Sequence, residues 1–433
     1  LNVRFGTDGI RGRANERITP ELALALGRAL VAMLSEQGRP TTVAVARDTR
    51  PSGPMIGAAL IAGICSAGGD AVELGVLPTP GLSALVPRLH LGAGVMITAS
   101  HNPEPDNGLK VVDHTGEKLS DDDRGRIEVL LGAPAPHGTP GGVRFVADAG
   151  ERYVAAVLAA LPAGPWLAGR TLVVDAGNGA AVGLAARVVA ALGAKVISIG
   201  EGGAINDGCG AMAPARLQAE VVRLGADAGI ALDGDADRGV LVTATGDELD
   251  GDALLWLCAP RDVQLANGQP PVVVGTVMSN GGLEAALAGR GILLERTPVG
   301  DAFVAAAVRE IGASIGAEPS GHVILSDGLP TADGLLACLR AIYPDPRGLP
   351  ERLAGLRFFC QLNGKIKVPA WYAEGGARRE ELEDAVNGLC RSGVRVVVRP
   401  SGTEPVLRFM VEHPEAARAH AGLDRLRALL ERA

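Results

Sequence analysis

The chain has 433 residues, 47% hydrophobic and 21% charged. That is ordinary for a packed protein and too long for one hydrophobic core, so three or four domains are expected. A formal net charge of −8 and only 3% aromatic residues exclude the basic, ring-bearing surface of a nucleic-acid binder. An anionic ligand must therefore be received by a local cluster of Arg and Lys.

In chain order, Arg4, Asp8 and Arg11 break any early apolar run, so no signal peptide is expected and the protein is placed in the cytoplasm. Thr19-Pro20-Glu21 is a capped helix start, and Leu22, Leu26, Leu30 and Met33 give it an apolar stripe ending near Gly38. Thr42 to Ala46 reads as a buried strand, Met55 to Ala67 as a helix and Ala71 to Val76 as a strand. After the turn Leu77-Pro78-Thr79-Pro80, another helix leads to the strand Gly94 to Thr98. This alternation indicates parallel α/β architecture. The long uncharged run Pro51 to Gly69 is rich in Gly, Ala and Ser and lies between two strands. It predicts a buried helix, not a membrane span.

Gly132 to Gly142 reads as a linker. The same unit then recurs twice. Thr171 to Asp175 runs into Gly177-Asn178-Gly179, an Ala-rich helix and the strand Lys195 to Ile199. Val272 to Val274 runs into Ser279-Asn280-Gly281-Gly282, a helix and the strand Ile292 to Glu295. The last segment combines strands at Lys365 to Val368 and Val394 to Val398 with an amphipathic end helix. The expected fold is α/β: three related α/β domains with mixed sheets (residues 1–135, 145–250 and 251–356) and a smaller C-terminal α+β domain (357–433). Six cysteines, Cys65, Cys209, Cys258, Cys338, Cys360 and Cys390, contain no CxxC pair and read as thiols of a reducing compartment.

Four polar loops carry chemistry. Thr98-Ala99-Ser100-His101-Asn102-Pro103 follows an apolar strand directly, and such strand ends face the ligand crevice of an α/β sheet. Ser100, with His101 and Lys110 close by, suits a nucleophile with proton handlers, although a capped polar turn fits the spacing as well. Asp233-Gly234-Asp235-Ala236-Asp237-Arg238 places three carboxylates at alternate positions between two strands. Such a turn can converge on one hard cation and leave room for a phosphate oxygen, as Mg²⁺ requires. Arg238 and Ala244 stand where an EF-hand needs Gly and Glu. Glu318, Ser320 and His322 could hydrogen-bond sugar hydroxyls, or form an ordinary surface turn. Arg399-Pro400-Ser401-Gly402-Thr403-Glu404-Pro405, with Arg408, offers donors for a dianionic phosphate, or a capped turn with incidental arginines. Gly177-x-Gly179 begins like a dinucleotide fingerprint but has Val182 at the third glycine position.

Together, in this order, the loops resemble the phosphohexomutase superfamily over nearly the whole chain. Phe5-Gly6-Thr7-Asp8-Gly9-Ile10-Arg11-Gly12 is similar to its first signature, and Thr98 to Pro103 with Asp106 to Lys110 is similar to its phosphoserine loop. The resemblance implies four domains around a central cleft, each contributing one loop. It implies Ser100 as the phosphorylated nucleophile, and Mg²⁺ bound by Asp233, Asp235 and Asp237 with the Ser100 phosphate. Arg238, Glu318, Ser320 and His322 would meet the sugar. Arg399, Ser401, Gly402, Thr403 and Arg408 would hold the non-reacting phosphate. Arg11, His101 and Lys110 would assist proton transfer and neutralise charge. A hexosamine 1,6-bisphosphate is the implied intermediate and activator. The implied partner is a small-molecule sugar phosphate, not nucleic acid or membrane, and a homodimer is compatible with it.

Thr276-Val277-Met278-Ser279-Asn280 resembles the glucosamine-specific branch, which implies exchange between glucosamine 6-phosphate and glucosamine 1-phosphate. Pro298 and Ala302 depart from that branch, which has Lys and Arg there. Two alternatives stay open: a phosphomannomutase or phosphoglucomutase, and a catalytically silent sugar-phosphate sensor.

Overall fold

The computed structural model describes residues 5–6, 9–133, 139–260, 270–369, 371–372, 376–401 and 405–431. Four sheets organise these residues. The first has six strands in the order β1-β5-β4-β2-β3-β6. These are β1 (Ile10–Arg13), β2 (Thr42–Arg47), β3 (Asp70–Val76), β4 (Ala93–Ile97), β5 (Asp106–Asp113) and β6 (Val143–Phe145). Helix α1 (Pro20–Glu36) starts where expected, with the Thr19 hydroxyl accepting from Leu22 N at 3.3 Å. The uncharged run becomes helix α2 (Gly53–Ser66), packed against α1. Among the described residues no helix is long and apolar enough to cross a membrane.

The second sheet has the order β11-β10-β9-β7-β8, with β7 (Thr171–Asp175), β8 (Lys195–Ile199), β9 (Ala228–Leu232), β10 (Gly239–Thr243) and β11 (Glu248–Leu249). The third has the order β13-β12-β14-β15, with β12 (Val272–Thr276), β13 (Leu293–Thr297), β14 (Ile315–Ala317) and β15 (Val323–Leu325). The fourth is a three-stranded antiparallel sheet, β16-β18-β17: β16 (Cys360–Lys367), β17 (Arg395–Pro400) and β18 (Val406–His413).

The first three sheets share one plan. Three parallel strands lie side by side, as β3-β2-β4, β8-β7-β9 and β13-β12-β14. One antiparallel strand then folds back on the last of each, as β5, β10 and β15. The Ser100, Asp233 and Glu318 loops are the reversals of these three hairpins, so each domain delivers its loop from the same position. The fourth loop is the reversal of the β17–β18 hairpin, and its Gly402 and Thr403 lie outside the described residues.

The segment expected to be a linker differs at its end. Val143 to Phe145 pairs in parallel with Ala71 to Glu73 as the outer strand of the first sheet, beyond residue 135. All three residues of this strand are exposed, so no apolar pattern marks it. One hydrophobic core runs through the first three sheets, from Val72 and Leu85 through Leu172 and Ile230 to Val273 and Ile315. The fourth sheet packs separately on its own helices around Leu382, Phe409, Val411 and Leu426.

Candidate active site

Ser100 sits in the hairpin reversal after β4, fully buried, in a left-handed conformation with φ 51°. A non-glycine residue there is held by its surroundings, at a cost of about 1–3 kcal/mol. The holding group is Arg50, itself 1% exposed. Its guanidinium donates to Ser100 O at 3.0 Å, Asn102 O at 2.7 Å, Pro103 O at 2.5 Å and Asp106 O at 2.8 Å. Its Nε donates to Asp48 Oδ2 at 3.0 Å, and the same oxygen accepts from Thr98 Oγ1 at 2.6 Å. Thr98 Oγ1 in turn accepts from Ser100 N at 2.9 Å. Burial raises the Asp48 carboxyl, and Arg50 and Thr98 pull it back down.

The side chain of Ser100 points at the acidic turn. Its Oγ donates to Asp233 Oδ2 at 2.6 Å and lies 3.3 Å from His101 Nδ1. Asp233, Asp235 and Asp237 are buried, with ligand oxygens within 4.8 Å of one another. Burial, followed by repulsion from Asp237 and Asp235, raises the Asp233 carboxyl well above its ordinary value. Arg238 and Ser100 act against that rise. Lys110 from β5 reaches between Asp235 and Asp237, 2.7 Å from each. Thr79 donates to Asp235 Oδ2 at 2.5 Å, while Asp235 Oδ1 is buried without a hydrogen-bond partner. Three crowded, hard carboxylate oxygens and one orphaned acceptor beside the Ser100 hydroxyl fit a Mg²⁺-sized cation. Gly234 is required here, because a Cβ on it would stand 2.6 Å from Ser100 O.

The cations around this centre come from different elements. Arg11 is on β1, opposite Gly108 of β5. Arg11 and Arg238 both act on His101, after burial, to push its imidazole down to about 4, so the ring is neutral near pH 7. The acidic and Glu318 loops are joined by a bridge between Arg238 and His322, and Gly239 N donates to Gly321 O at 3.0 Å. Glu318 is buried, accepting from Gly300 N at 2.9 Å, whereas Ser320 is exposed. His322 is buried with Nε2 at 3.2 Å from Asp301 Oδ2, and Asp301 also pairs with Lys118.

Arg399 and Arg408 are direct cross-strand partners on β17 and β18. Burial and then Arg408 lower the Arg399 guanidinium below its usual value, and the charge of Glu318 opposes this. Register adds a cation that sequence reading passed over: Lys365 of β16 stands opposite Arg408 on its other side. Three cations therefore lie abreast on one face of the sheet, where like charges repel and an anion between them would be favoured. Arg50 was missed as well. Its signal was the polar run Arg47-Asp48-Thr49-Arg50 at the end of an apolar strand, the same position that drew attention to Ser100.

Family models match three stretches of the chain. "Phosphoglucomutase/phosphomannomutase, alpha/beta/alpha domain I" matches residues 2–134, domain III of that family matches 250–343, and its C-terminal domain matches 362–429. Phosphoglucosamine mutase of Moorella thermoacetica is 43% identical over 98% of each chain. That of Maricaulis maris is 43% identical over 94% of each. Among solved structures, a family protein from Burkholderia thailandensis superposes with TM-score 0.80 at 24% identity, covering 100% of this chain and 99% of that one. Aspergillus fumigatus N-acetylphosphoglucosamine mutase, solved with GlcNAc-6P and magnesium, gives 0.64 at 19% identity, over 99% and 95%. With hairpin reversals bearing a buried serine, an acidic triad and Glu318, and matched over most of its length by these family models and relatives, the chain belongs to the phosphoglucomutase/phosphomannomutase family, the phosphohexomutases.

Proposed function

We propose that this enzyme is a phosphoglucosamine mutase, exchanging glucosamine 6-phosphate and glucosamine 1-phosphate. The observation that carries the reaction is Ser100 Oγ, 2.6 Å from Asp233 in a buried three-carboxylate turn. The choice of sugar is supported by the phosphoglucosamine mutases at 43% identity over nearly the full chain.

Phospho-Ser100 gives its phosphoryl group to the free hydroxyl of the sugar phosphate. The Ser100 Oγ–P bond breaks, a sugar O–P bond forms, and the sugar hydroxyl proton passes to the departing Ser100 oxygen. His101, neutral near pH 7 and 3.3 Å from Ser100 Oγ, supports a part in relaying that proton, with Arg11 and Lys110 as the other groups that could assist it. The product is hexosamine 1,6-bisphosphate, which turns over in the cleft and returns its other phosphoryl group to Ser100. Asp233, Asp235 and Asp237 would hold Mg²⁺, which when bound neutralises charge on the transferring phosphoryl oxygens. Lys110, Arg11 and Arg238 supply fixed positive charge at the same end. Arg399, Arg408 and Lys365, with Ser401, Gly402 and Thr403, hold the non-reacting phosphate at the other end. Glu318, Ser320 and His322 meet the sugar between them. Positioning between two phosphate grips supplies most of the catalysis.

The test is kcat/KM for glucosamine, glucose and mannose 6-phosphates, each with its matching bisphosphate, beside the Ser100→Ala variant. Glucosamine 6-phosphate should lead and Ser100→Ala should lose nearly all turnover. A clear preference for glucose or mannose would reassign the sugar. Retained activity in Ser100→Ala would remove the covalent route.

A further inference from the structure

The segment Thr276 to Asn280 leaves the end of β12 at the place where Asp48 to Ser52 follows β2. In the first domain that turn carries Arg50 and holds the Ser100 loop. In the third domain the polar groups of the turn meet the C-terminal domain. Arg395 of β17 donates through NH1 to Val277 O at 2.8 Å and through NH2 to Ser279 O at 2.7 Å. The same guanidinium pairs bidentately with Glu412 of β18, Nε to Oε1 at 2.8 Å and NH2 to Oε2 at 2.9 Å. Glu412, 2% exposed, also accepts from Gly281 N at 3.1 Å. Gln361 of β16 donates to Met278 O at 2.9 Å and to Glu412 Oε2 at 3.2 Å. Asn280 caps the following helix by accepting from Gly282 N at 2.8 Å. It also pairs with the backbone of Phe359, accepting from its N–H at 2.8 Å and donating to its C=O at 3.1 Å. A Cβ on Gly282 would stand 2.0 Å from Arg357 O, so the two backbones are in contact.

Arg395 and Glu412 share strands with Arg399 and Arg408. They are direct cross-strand neighbours on the same sheet face, four residues from the two phosphate-facing arginines. A strand rises about 3.3 Å per residue, so roughly 13 Å of stiff backbone separates the seat from the grip. A shift at one end is carried to the other.

We infer that Thr276 to Asn280 is the seat of the C-terminal sheet, and that Arg395 and Glu412 are positioning residues setting where Arg399 and Arg408 stand relative to Ser100. This rests on the assignment of Arg399 and Arg408 to the non-reacting phosphate. The resemblance of this turn to the glucosamine branch then reflects the spacing of the two grips, not contact with the 2-position of the sugar.

A double-mutant cycle tests it, with glucosamine 6-phosphate as substrate and its bisphosphate present. Glu412→Gln keeps the size of the side chain and an acceptor for Gly281 N while removing the charge that fixes Arg395. Alone it should raise KM on the order of tenfold with kcat little changed. Combined with Arg399→Ala it should add less than about twofold, because the group it positions is gone. An equal KM effect in both backgrounds, or a loss confined to kcat, overturns the seat. An unchanged KM in Arg399→Ala alone overturns the phosphate assignment and the seat with it. If Glu412→Gln fails to fold, Arg395→Lys, which keeps the charge and loses the fork, is read in the same cycle against the same outcomes.

Discussion

Replacing Arg50 by Lys keeps a positive charge beneath the Ser100 loop and removes its fork. The guanidinium makes five hydrogen bonds, one to Asp48 and four to carbonyls between Ser100 and Asp106. An ammonium has three N–H donors and radiates them from one point, so at least two of those bonds go unmade. At about 1.5–3 kcal/mol for each charged hydrogen bond, the loop loses roughly 3–6 kcal/mol of support. Asn206 also donates to Ser100 O at 2.8 Å and to Asn102 O at 3.2 Å, so part of the loop stays tethered. If half of the loss reaches Ser100 Oγ, turnover falls about 10- to 150-fold. The assay is mutase turnover beside intact mass, which reports the phosphorylated fraction, and a thermal melt, which reports folding. Turnover and phosphorylation both within twofold of the parent protein, with an unchanged melt, would refute the holding role of Arg50.

Asp235→Asn should weaken Mg²⁺ binding, measured by calorimetry, and should leave the metal-free melting temperature unchanged or raised, since it removes repulsion among buried carboxylates; a lowered value would make the turn structural. Lys365→Ala should raise KM for the sugar phosphate about tenfold with kcat retained, as expected for one charge-assisted phosphate contact; an unchanged KM would place Lys365 outside the grip. Asp252, 2% exposed at the start of the helix Gly251–Cys258, is raised to about 7, chiefly by burial and then by Asp250. Its folded form prefers the proton, so its favourable contribution is full below the ordinary carboxyl range and is lost as pH rises to about 7, by up to about 4 kcal/mol for some three units. Asp252→Asn keeps an acceptor for Asn280 N, at 2.7 Å in the parent. Its stability relative to the parent should rise between pH 4 and pH 8 in urea titrations, and a flat difference would refute the shift.

Strands were legible where Val and Ile concentrate between turn residues, although Val323–Leu325 and Val406–His413 were not read as strands. Thr171–Asp175 and Lys195–Ile199 stand where their Val and Ile content puts them. The Ser100 and Asp233 loops were legible because polar side chains cluster at the ends of buried strands, where nothing in a core calls for them. Tertiary partners were not legible. Arg50 and Asp48 read as loop residues until the fold brings them beneath Ser100, 50 residues later in the chain. Lys365 joins Arg399 and Arg408 only through its register with Arg408. Val143–Phe145 carries no pattern because an exposed edge strand buries no side chain.

The division of the hydrophobic interior has a consequence for how the molecule comes apart. Domains one to three share a continuous core, whereas the C-terminal sheet has its own and is joined to Asn280 and its neighbours by polar groups. Cooperative opening follows the boundaries of buried apolar contact. On warming, the C-terminal unit can therefore release as its own foldon while the serine and its acidic turn stay assembled. Between the two transitions the protein would keep its serine and acidic turn in place without the C-terminal sheet beside them. A scanning calorimeter should see a small endotherm below a large one. Sugar phosphate should move the small one most, because only the native attachment of that unit completes its binding site.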